Sequence, residues 1–293
     1  MKELTADLQP RWNSIIIDVL REFTSICRAN GLRWFCCGGT AIGAVRHGGM
    51  IPWDDDIDVF MPRPDYDRFM QIATCTDLGN YELVTPYNDS TYPQYFAKLC
   101  NRNTTLQEVA DVPSVHGLYI DIFPIDGAPG DIAEAQALER RFRKIKNKLE
   151  AISTHNTFGQ YLSLLTDHSK WGRFARKTIG FLFREQYRQR LLAQMDAISY
   201  RYDYETATLV AVYCGSYGEK EVFSKEWLDG TVQFQFEGIT VDLPSGYDAY
   251  LRQYYGDYMQ LPPEEKRVSH HTKAYFNMDA REAVSPRCGA GPR

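Results

Sequence analysis

A glycine-rich turn followed closely by an acidic stretch is the feature that most constrains this sequence. Residues 38–47 read GGTAIGAVRH, and residues 51–59 read IPWDDDIDV. Glycine lets a backbone approach phosphate oxygens closely, and the N-terminus of a helix favours an anion. Carboxylates spaced i, i+2 on a strand lie on one face and can hold Mg²⁺. The pattern therefore predicts a metal-dependent transferase that acts on a nucleotide.

Apolar periodicity around this stretch predicts a mixture of helices and strands. Apolar residues three and four positions apart predict a long helix over residues 4–27, which ends at Asn30 and Gly31. A short helix over 40–47 follows the glycine turn, with Thr40 near its N-cap. A third helix covers 65–73, and strands cover 33–37, 56–61, 81–84, 95–100, 104–109 and 118–123. The mixture predicts an α/β or α+β fold.

Changes in residue pattern divide the chain into three parts and a tail. Residues 1–128 form the predicted catalytic core, and residues 129–203, rich in Arg and Lys at helical spacing, form a predicted helical insertion. Residues 204–284 return to mixed structure that completes the catalytic domain. They hold a predicted hairpin of strands 232–236 and 239–243 and a helix over 247–255. Residues 285–293 carry Pro and Gly without an apolar pattern, which predicts a disordered tail.

Composition excludes several classes of protein. The net charge of −5 and the pI near 5.7 argue against a nucleic-acid-binding face. The seven cysteines include no C-x-x-C pair, so a structural zinc site is not predicted and a reducing compartment is favoured. The first residues lack an apolar signal segment, and no run approaches the roughly 20 apolar residues that span a bilayer. We therefore expect a cytoplasmic protein.

Three aspartates, Asp56, Asp58 and Asp121, are the candidate metal ligands and catalytic residues. Asp56 and Asp58 share one face of their strand, and Asp121 lies within the apolar strand 118–123. An unpaired charge inside an apolar strand is costly, and a shared divalent cation, Mg²⁺ or Mn²⁺, would offset all three. The alternative is a solvated acidic turn that enters an edge strand. The sequence leaves open whether Asp54 is a further ligand.

Residues 38–66 resemble the LicD family, which includes the fukutin-type enzymes and is similar to the nucleotidyltransferase superfamily. Gly38 and Gly39 match the family's glycine turn, and Asp56 and Asp58 match its Asp-x-Asp pair. Asp121 is the candidate for its third carboxylate. Residues 254–263, which read YYGDYMQLPP, and residues 267–271 are similar to its closing segment. The resemblance covers most of residues 10–272 and implies a nucleotidyltransferase-like mixed sheet flanked by helices, with a helical insertion.

The resemblance also implies an activity, the transfer of a phospho-alcohol, typically phosphocholine, from a CDP-activated donor such as CDP-choline. The acceptor would be a hydroxyl of a cell-surface glycan (lipopolysaccharide, teichoic acid or capsule) or of its lipid-linked precursor, and the product would be CMP. Two Mg²⁺ ions held by Asp56, Asp58 and Asp121 would neutralise the diphosphate, with Asp121 as general base.

Two other functions stay open. One is a nucleotidyltransferase that moves NMP from an NTP to a small molecule or protein. The other is a catalytically silent binding or scaffold protein, which has no need of costly buried carboxylates.

Seven residues are candidates for substrate binding, because they lie near the carboxylates in the sequence or carry a charge that suits a phosphate. They are Gly38, Gly39, Thr40, Arg46, His47, Lys98 and His270. Arg46 and His47 have a structural alternative, which is to compensate the dipole at the end of their helix. The structural alternative for Lys98 is a solvent-facing lysine on a strand. For His270 it is a place in a surface basic patch.

A basic segment over residues 170–190 interleaves Arg and Lys with aromatic and aliphatic residues. Such a helix often lies on an anionic membrane surface, and a lipid-linked acceptor would make that contact useful. One interpretation is therefore peripheral contact with the inner face of a membrane. The alternative is an ordinary solvated helix face that packs on the core.

Overall fold

Helices and strands are mixed along the residues that the computed structural model describes, which are 4–153, 183–269 and 271–284. The helices are α1 (Gln9–Asn30), α2 (Gly38–Arg46), α3 (Arg63–Cys75), α4 (Ile132–Ser153), α5 (Arg184–Ser199) and α6 (Tyr247–Tyr255). The strands are β1 (Phe35–Cys36), β2 (Asp58–Pro62), β3 (Tyr81–Val84), β4 (Ala97–Asn101), β5 (Thr105–Gln107), β6 (Tyr119–Ala128), β7 (Leu209–Ala211), β8 (Val222–Ser224), β9 (Thr231–Phe236), β10 (Ile239–Pro244) and β11 (Tyr275–Asn277). The predicted α/β or α+β class is confirmed.

A seven-stranded mixed sheet lies at the centre of the described residues. Its order is β1-β2-β6-β4-β3, and β7 and β8 continue it from the last residues of β6. Strands β2 and β6 are parallel, whereas the other neighbours are antiparallel. Almost every residue of β2 and β6 is buried, as expected for strands that are covered on both faces. Two smaller antiparallel pairs, β9-β10 and β5-β11, lie beside this sheet.

Helix α1 packs on the sheet through one apolar face. Its buried residues include Ile16, Leu20 and Phe23, and the helix contacts β4 and β6. Phe23 also packs against Phe69 of α3, with ring centroids 5.1 Å apart, so both helices belong to one layer. Gly31 ends α1 in the left-handed conformation at φ +61°, which only glycine adopts easily. The predicted helix and its end are therefore confirmed, although the helix begins at Gln9 and not at residue 4. The hairpin β9-β10 and helix α6 are also confirmed.

Helices α4 and α5 lie at the two ends of the predicted insertion. They pack against each other, and α4 also contacts β7 and β8. Phe142 of α4 and Met195 of α5 are fully buried in the same hydrophobic core as the sheet. Residues 154–182, in the middle of this segment, lie outside the described residues, as does the tail 285–293. The boundaries of the predicted insertion therefore stay predictions.

One arginine of the basic segment 170–190 is not on the surface. Arg188 is 3% exposed, and its guanidinium donates to the backbone carbonyls of Pro86 and Asp89. It ties α5 to the loop after β3 and cannot face a lipid headgroup, so the basic face is smaller than the sequence predicts. Residues 170–182 of the segment lie outside the described ranges. Within those ranges, every helix is too short or too polar to cross a bilayer.

A buried ion pair fixes the register of the two central parallel strands. Arg63 directly follows β2, and Asp126 lies on β6, one position beyond the paired residues Pro62 and Ile125. Nε of Arg63 donates to Oδ1 of Asp126 at 2.6 Å, and both side chains are buried. A slip of one residue would separate the pair and turn every side chain of the strand to the opposite face.

We expect that Asp126→Asn lowers the free energy of unfolding by about 3 kcal/mol, because it removes the buried counter-charge of the Arg63 guanidinium and leaves only the more exposed Asp67, 3.5 Å from Nη1. Urea unfolding followed by circular dichroism measures the change. Asp18→Asn is the matched control, since Asp18 pairs with Arg21 on the exposed surface, and such pairs contribute at most about 1 kcal/mol. Equal losses in the two variants would contradict a special role for the buried pair.

Candidate active site

The glycine turn lets the start of α2 approach two carboxylates closely. Gly38 has φ +56°, and its N–H donates to the Tyr250 hydroxyl at 3.0 Å. A Cβ on Gly38 would lie 3.0 Å from Oδ2 of Asp58, and a Cβ on Gly39 would lie 2.2 Å from Oδ2 of Asp54. Any side chain at Gly39 would therefore displace Asp54. The positive end of the α2 dipole also lies beside these negative groups, which stabilises them.

Thr40 connects α2 to β2 and does not cap the helix. The helix begins at Gly38, with Cys37 as its N-cap residue. The hydroxyl of Thr40 accepts the backbone N–H of Asp58 at 2.9 Å, so it holds that residue at the start of its strand. The predicted N-cap was wrong, because this contact with β2 uses the hydroxyl. A role of Thr40 in substrate binding stays a prediction.

Four aspartates meet where β2 begins to pair with β6. Asp58 and Asp121 are the first paired residues of the two parallel strands, and Asp54 and Asp56 lie on the loop that leads into β2. All four line one cavity of about 1040 Å³. The sequence prediction that Asp56, Asp58 and Asp121 come together therefore agrees with the structure, although β2 begins only at Asp58.

Burial and mutual repulsion make these carboxylates costly to ionise. Burial, followed by the charge of Asp121, raises the pKa of Asp58 to about 8. Burial, followed by the charge of Asp58, raises the pKa of Asp56 to about 7. Burial, followed by the charge of Asp56, raises the pKa of Asp54 to about 8. Burial also raises the pKa of Asp121. Ionisation of all four carboxyls would therefore place more negative charge here than the surroundings offset.

Lys98 is the buried counter-charge of Asp121. Its side chain is 2% exposed, and its Nζ lies 2.7 Å from Oδ1 of Asp121 and 3.7 Å from Oε2 of Glu108. The ammonium also lies 3.2 Å from the ring centroid of Tyr119. Burial alone would lower the pKa of Lys98, but Asp121 and Glu108 raise it above its ordinary value. The alternative of a solvent-facing lysine was wrong, because β4 lies between β3 and β6 in the sheet and its Lys98 is paired with Asp121 of β6.

His271 bridges two aspartates from the C-terminal segment. Its Nδ1 lies 2.7 Å from Oδ1 of Asp55, and its Nε2 lies 3.2 Å from Oδ2 of Asp56. The hydrogen bond with Asp55 is the main cause that raises the pKa of His271 to about 10, so the ring is an imidazolium at neutral pH. Sequence reasoning selected the adjacent His270, which lies outside the described residues. The motif 267–271 was the available signal, but two adjacent histidines cannot be told apart without the fold.

Asp55 is a structural residue among the acidic ones. Its carboxylate accepts from Lys273, from the Ser269 hydroxyl at 2.7 Å and from His271. Burial would raise the pKa of Asp55, but these hydrogen bonds lower it to about 2. Asp55 therefore anchors the C-terminal segment to the acidic loop. Sequence reasoning missed it because Lys273 and Ser269 lie far away along the chain.

The donor chemistry of the cluster fits a divalent cation with oxygen ligands. Asp54, Asp55, Asp56 and His271 each offer a ligand atom within 4.8 Å of the others. Asp55 is already paired and His271 is protonated, so neither is a good ligand. Asp54 and Asp56 remain as candidate ligands from that group, beside Asp58 and Asp121, which face each other across β2 and β6. Mg²⁺ and Mn²⁺ prefer such carboxylate oxygens, and the surplus negative charge favours either ion.

Arg46 and His47 differ in their position at the cavity. Arg46 lines it, and its Nη1 donates to the backbone carbonyl of Tyr258 at 2.6 Å. His47 is not among the residues that line this cavity, and its ring packs edge-to-face on Trp53 with centroids 6.3 Å apart. Burial lowers the pKa of both side chains. Contacts of either residue with a donor phosphate stay predictions.

Comparison with known proteins agrees with the motifs. The family described as LicD/FKTN/FKRP, nucleotidyltransferase domain, matches residues 31–157. Lipopolysaccharide cholinephosphotransferase LicD of Haemophilus influenzae is 30% identical over 288 residues, which cover 94% of this chain and 99% of that protein. Ribitol 5-phosphate transferase FKRP of Homo sapiens is 40% identical over 42 residues, which cover 14% of this chain and 8% of that protein. Since the first similarity spans almost the whole of both proteins, the chain belongs to the LicD family.

Proposed function

We propose that this protein transfers phosphocholine from CDP-choline to a hydroxyl of a cell-surface glycan or of its lipid-linked precursor, and releases CMP. The observation that carries the proposal is the group of four aspartates in a cavity of about 1040 Å³, a size that holds a nucleotide donor. Similarity over nearly the full length to a lipopolysaccharide cholinephosphotransferase supports the choice of substrates.

Asp56, Asp58 and Asp121 would hold Mg²⁺ or Mn²⁺, with Asp54 as a further candidate. When bound, the metal supplies positive charge that offsets the diphosphate and the charge that develops as the donor is cleaved. The N-terminal amides of α2 lie beside the same cluster and favour phosphate. Lys98 holds Asp121 in place through the 2.7 Å ion pair.

Asp121 is the proposed general base. The acceptor hydroxyl attacks the phosphorus that carries choline, a new bond forms between that phosphorus and the glycan oxygen, and the bond to the CMP phosphate oxygen breaks. The proton of the hydroxyl passes to the Asp121 carboxylate. The electron pair of the broken bond leaves with CMP.

A nucleotidyltransferase is the second candidate, because the matched family carries that name for its domain. The same aspartates would then act on an NTP, and pyrophosphate would replace CMP as the product. A silent scaffold has little support, since buried carboxylates that repel each other destabilise a fold without a ligand. We also propose a reducing, cytoplasmic location, which is supported by the free thiols of Cys27, Cys36, Cys37, Cys75, Cys100 and Cys214.

The product distinguishes these functions. We expect the purified protein to release CMP from CDP-choline when Mg²⁺ and a lipopolysaccharide or teichoic acid acceptor are present, and to stop when the metal is chelated. Liquid chromatography of the nucleotides measures CMP. Pyrophosphate from an NTP, with no CMP from CDP-choline, CDP-ethanolamine or CDP-ribitol, would contradict the proposal.

Asp58→Asn should lower turnover at least about 100-fold and should raise the melting temperature of the metal-free protein. The amide is a poor metal ligand. At pH 9, above the pKa of about 8 that burial and Asp121 give Asp58, it also removes one charge from a repelling cluster, with a gain of roughly 2–4 °C for each kcal/mol of relieved repulsion. Initial rates and differential scanning fluorimetry measure the two effects. Asp18→Asn, on the exposed surface of α1, should change neither. Near-normal turnover of Asp58→Asn with added Mg²⁺ would contradict the assignment.

A further inference from the structure

Part of the cavity lining consists of tyrosine rings, which are uncharged and aromatic, in contrast to the aspartates. Tyr217, Tyr254 and Tyr255 all line the cavity. The ring centroid of Tyr217 lies 5.1 Å from that of Tyr254 and 5.1 Å from that of Tyr255. Tyr217 is 44% exposed, whereas Tyr254 is buried. The three rings therefore form a connected aromatic surface that a ligand in the cavity can reach.

A buried carboxylate lies behind these rings. Glu221 is 2% exposed, and it accepts the Tyr217 backbone N–H at 2.9 Å and the Tyr254 hydroxyl. A Cβ on Gly215 would lie 2.0 Å from its Oε1, so this glycine gives the carboxylate its room.

The partners of Glu221 are neutral. Lys146 is close enough to act on it electrostatically, but its ammonium donates to the backbone carbonyls of Cys214 and Gly215 at 2.8 and 2.9 Å. Within the described part of the chain, no ion pair joins Glu221 to a cation at 4.0 Å or less. Buried carboxylates are normally paired, so this one suits a cationic ligand.

The aromatic surface adjoins the candidate reaction centre. The start of α2 lies between them. A Cβ placed on Gly38 would be 3.0 Å from Oδ2 of Asp58 and 3.6 Å from the Tyr255 hydroxyl. A group attached to a phosphate held near Asp58 is therefore within reach of the rings. In the proposed donor, that group is the alcohol.

We propose that Tyr217, Tyr254 and Tyr255, backed by Glu221, bind the quaternary ammonium of the donor alcohol and so select choline over uncharged alcohols. The inference rests on the proposed function. A quaternary ammonium has no N–H to donate, and aromatic faces attract it through their quadrupole. Burial raises the pKa of the Glu221 carboxyl to about 7, and a cation held against the rings favours its ionised form. At this depth, water screens the attraction between the two charges weakly. A polyol such as ribitol gains nothing from either.

A neutral isostere separates charge from shape. The CDP ester of 3,3-dimethylbutan-1-ol carries a tert-butyl group in place of the trimethylammonium group of choline. Calorimetry with Mg²⁺ and without acceptor should show that CDP-choline binds about tenfold or more tightly than this isostere. Tyr217→Leu and Glu221→Gln should each reduce that preference about five- to tenfold, while the affinity for CMP stays unchanged.

Two further variants keep the test independent of folding. Tyr217→Phe retains the ring face and should retain the preference, even if Tyr217→Leu disturbs the fold. Tyr187→Leu removes a tyrosine that is 40% exposed on α5 and is not among the residues lining this cavity, and it should bind both donors as the wild type does.

Equal binding of CDP-choline and the isostere by the wild type would overturn the inference. The inference would also fail if Glu221→Gln and Tyr217→Leu each kept the full preference for CDP-choline over the isostere. Faster CMP release from CDP-ribitol than from CDP-choline would overturn it as well. In that last case the proposed transfer from a CDP-alcohol would still stand. Absence of CMP from every CDP-alcohol would instead overturn the proposed function.

Discussion

The parallel pairing of β2 with β6 is the constraint on which the rest of the structure depends. Where the two strands begin to pair, the register sets Asp58 beside Asp121, and one position beyond the last pair Arg63 meets Asp126. One end therefore holds two like charges, and the other holds a matched pair. Since a shift of one residue turns each side chain to the other face, the ion pair at one end fixes the carboxylates at the other.

The carboxylate cluster is an unfavourable arrangement that its neighbours only partly offset. Lys98 offsets Asp121, and His271 bridges Asp55 and Asp56. The glycines of the α2 turn add the room that the carboxylates need. Proteins retain such destabilising groups mainly where function requires them. This cost is a physical reason to assign chemistry to the cluster, beside the family resemblance.

Local patterns in the sequence predicted much of the fold and the centre of the site. Helix α6 has the predicted bounds, and Gly31 ends α1 as expected, because periodicity and capping act within a few residues. Asp58 and Asp121 were selected because a charge within an apolar strand is conspicuous, and Asp56 was selected through the Asp-x-Asp pattern. The structure places all three on one cavity. The family followed from the glycine turn and the Asp-x-Asp pair, and the comparison confirmed it.

What the sequence did not reveal depends on contacts between distant parts of the chain. His271 reaches Asp55 across more than two hundred residues, and no local pattern distinguishes it from His270. Lys98 and Arg188 look like surface cations until the sheet and α5 enclose them. Thr40 looks like a cap until β2 offers its N–H. In each case tertiary packing decides the role of a polar side chain whose sequence context is ambiguous.

The measurement that tests the account most directly is anomalous diffraction from a crystal soaked with Mn²⁺ and CDP-choline. Mn²⁺ accepts the same oxygen ligands as Mg²⁺ and gives a signal that identifies the metal itself. The proposed metal site predicts a peak within coordination distance of Asp58, with Asp56 or Asp121 as a second ligand and the diphosphate beside it. A peak held only by Asp55 and His271, or a diphosphate bound away from Asp58, would contradict it.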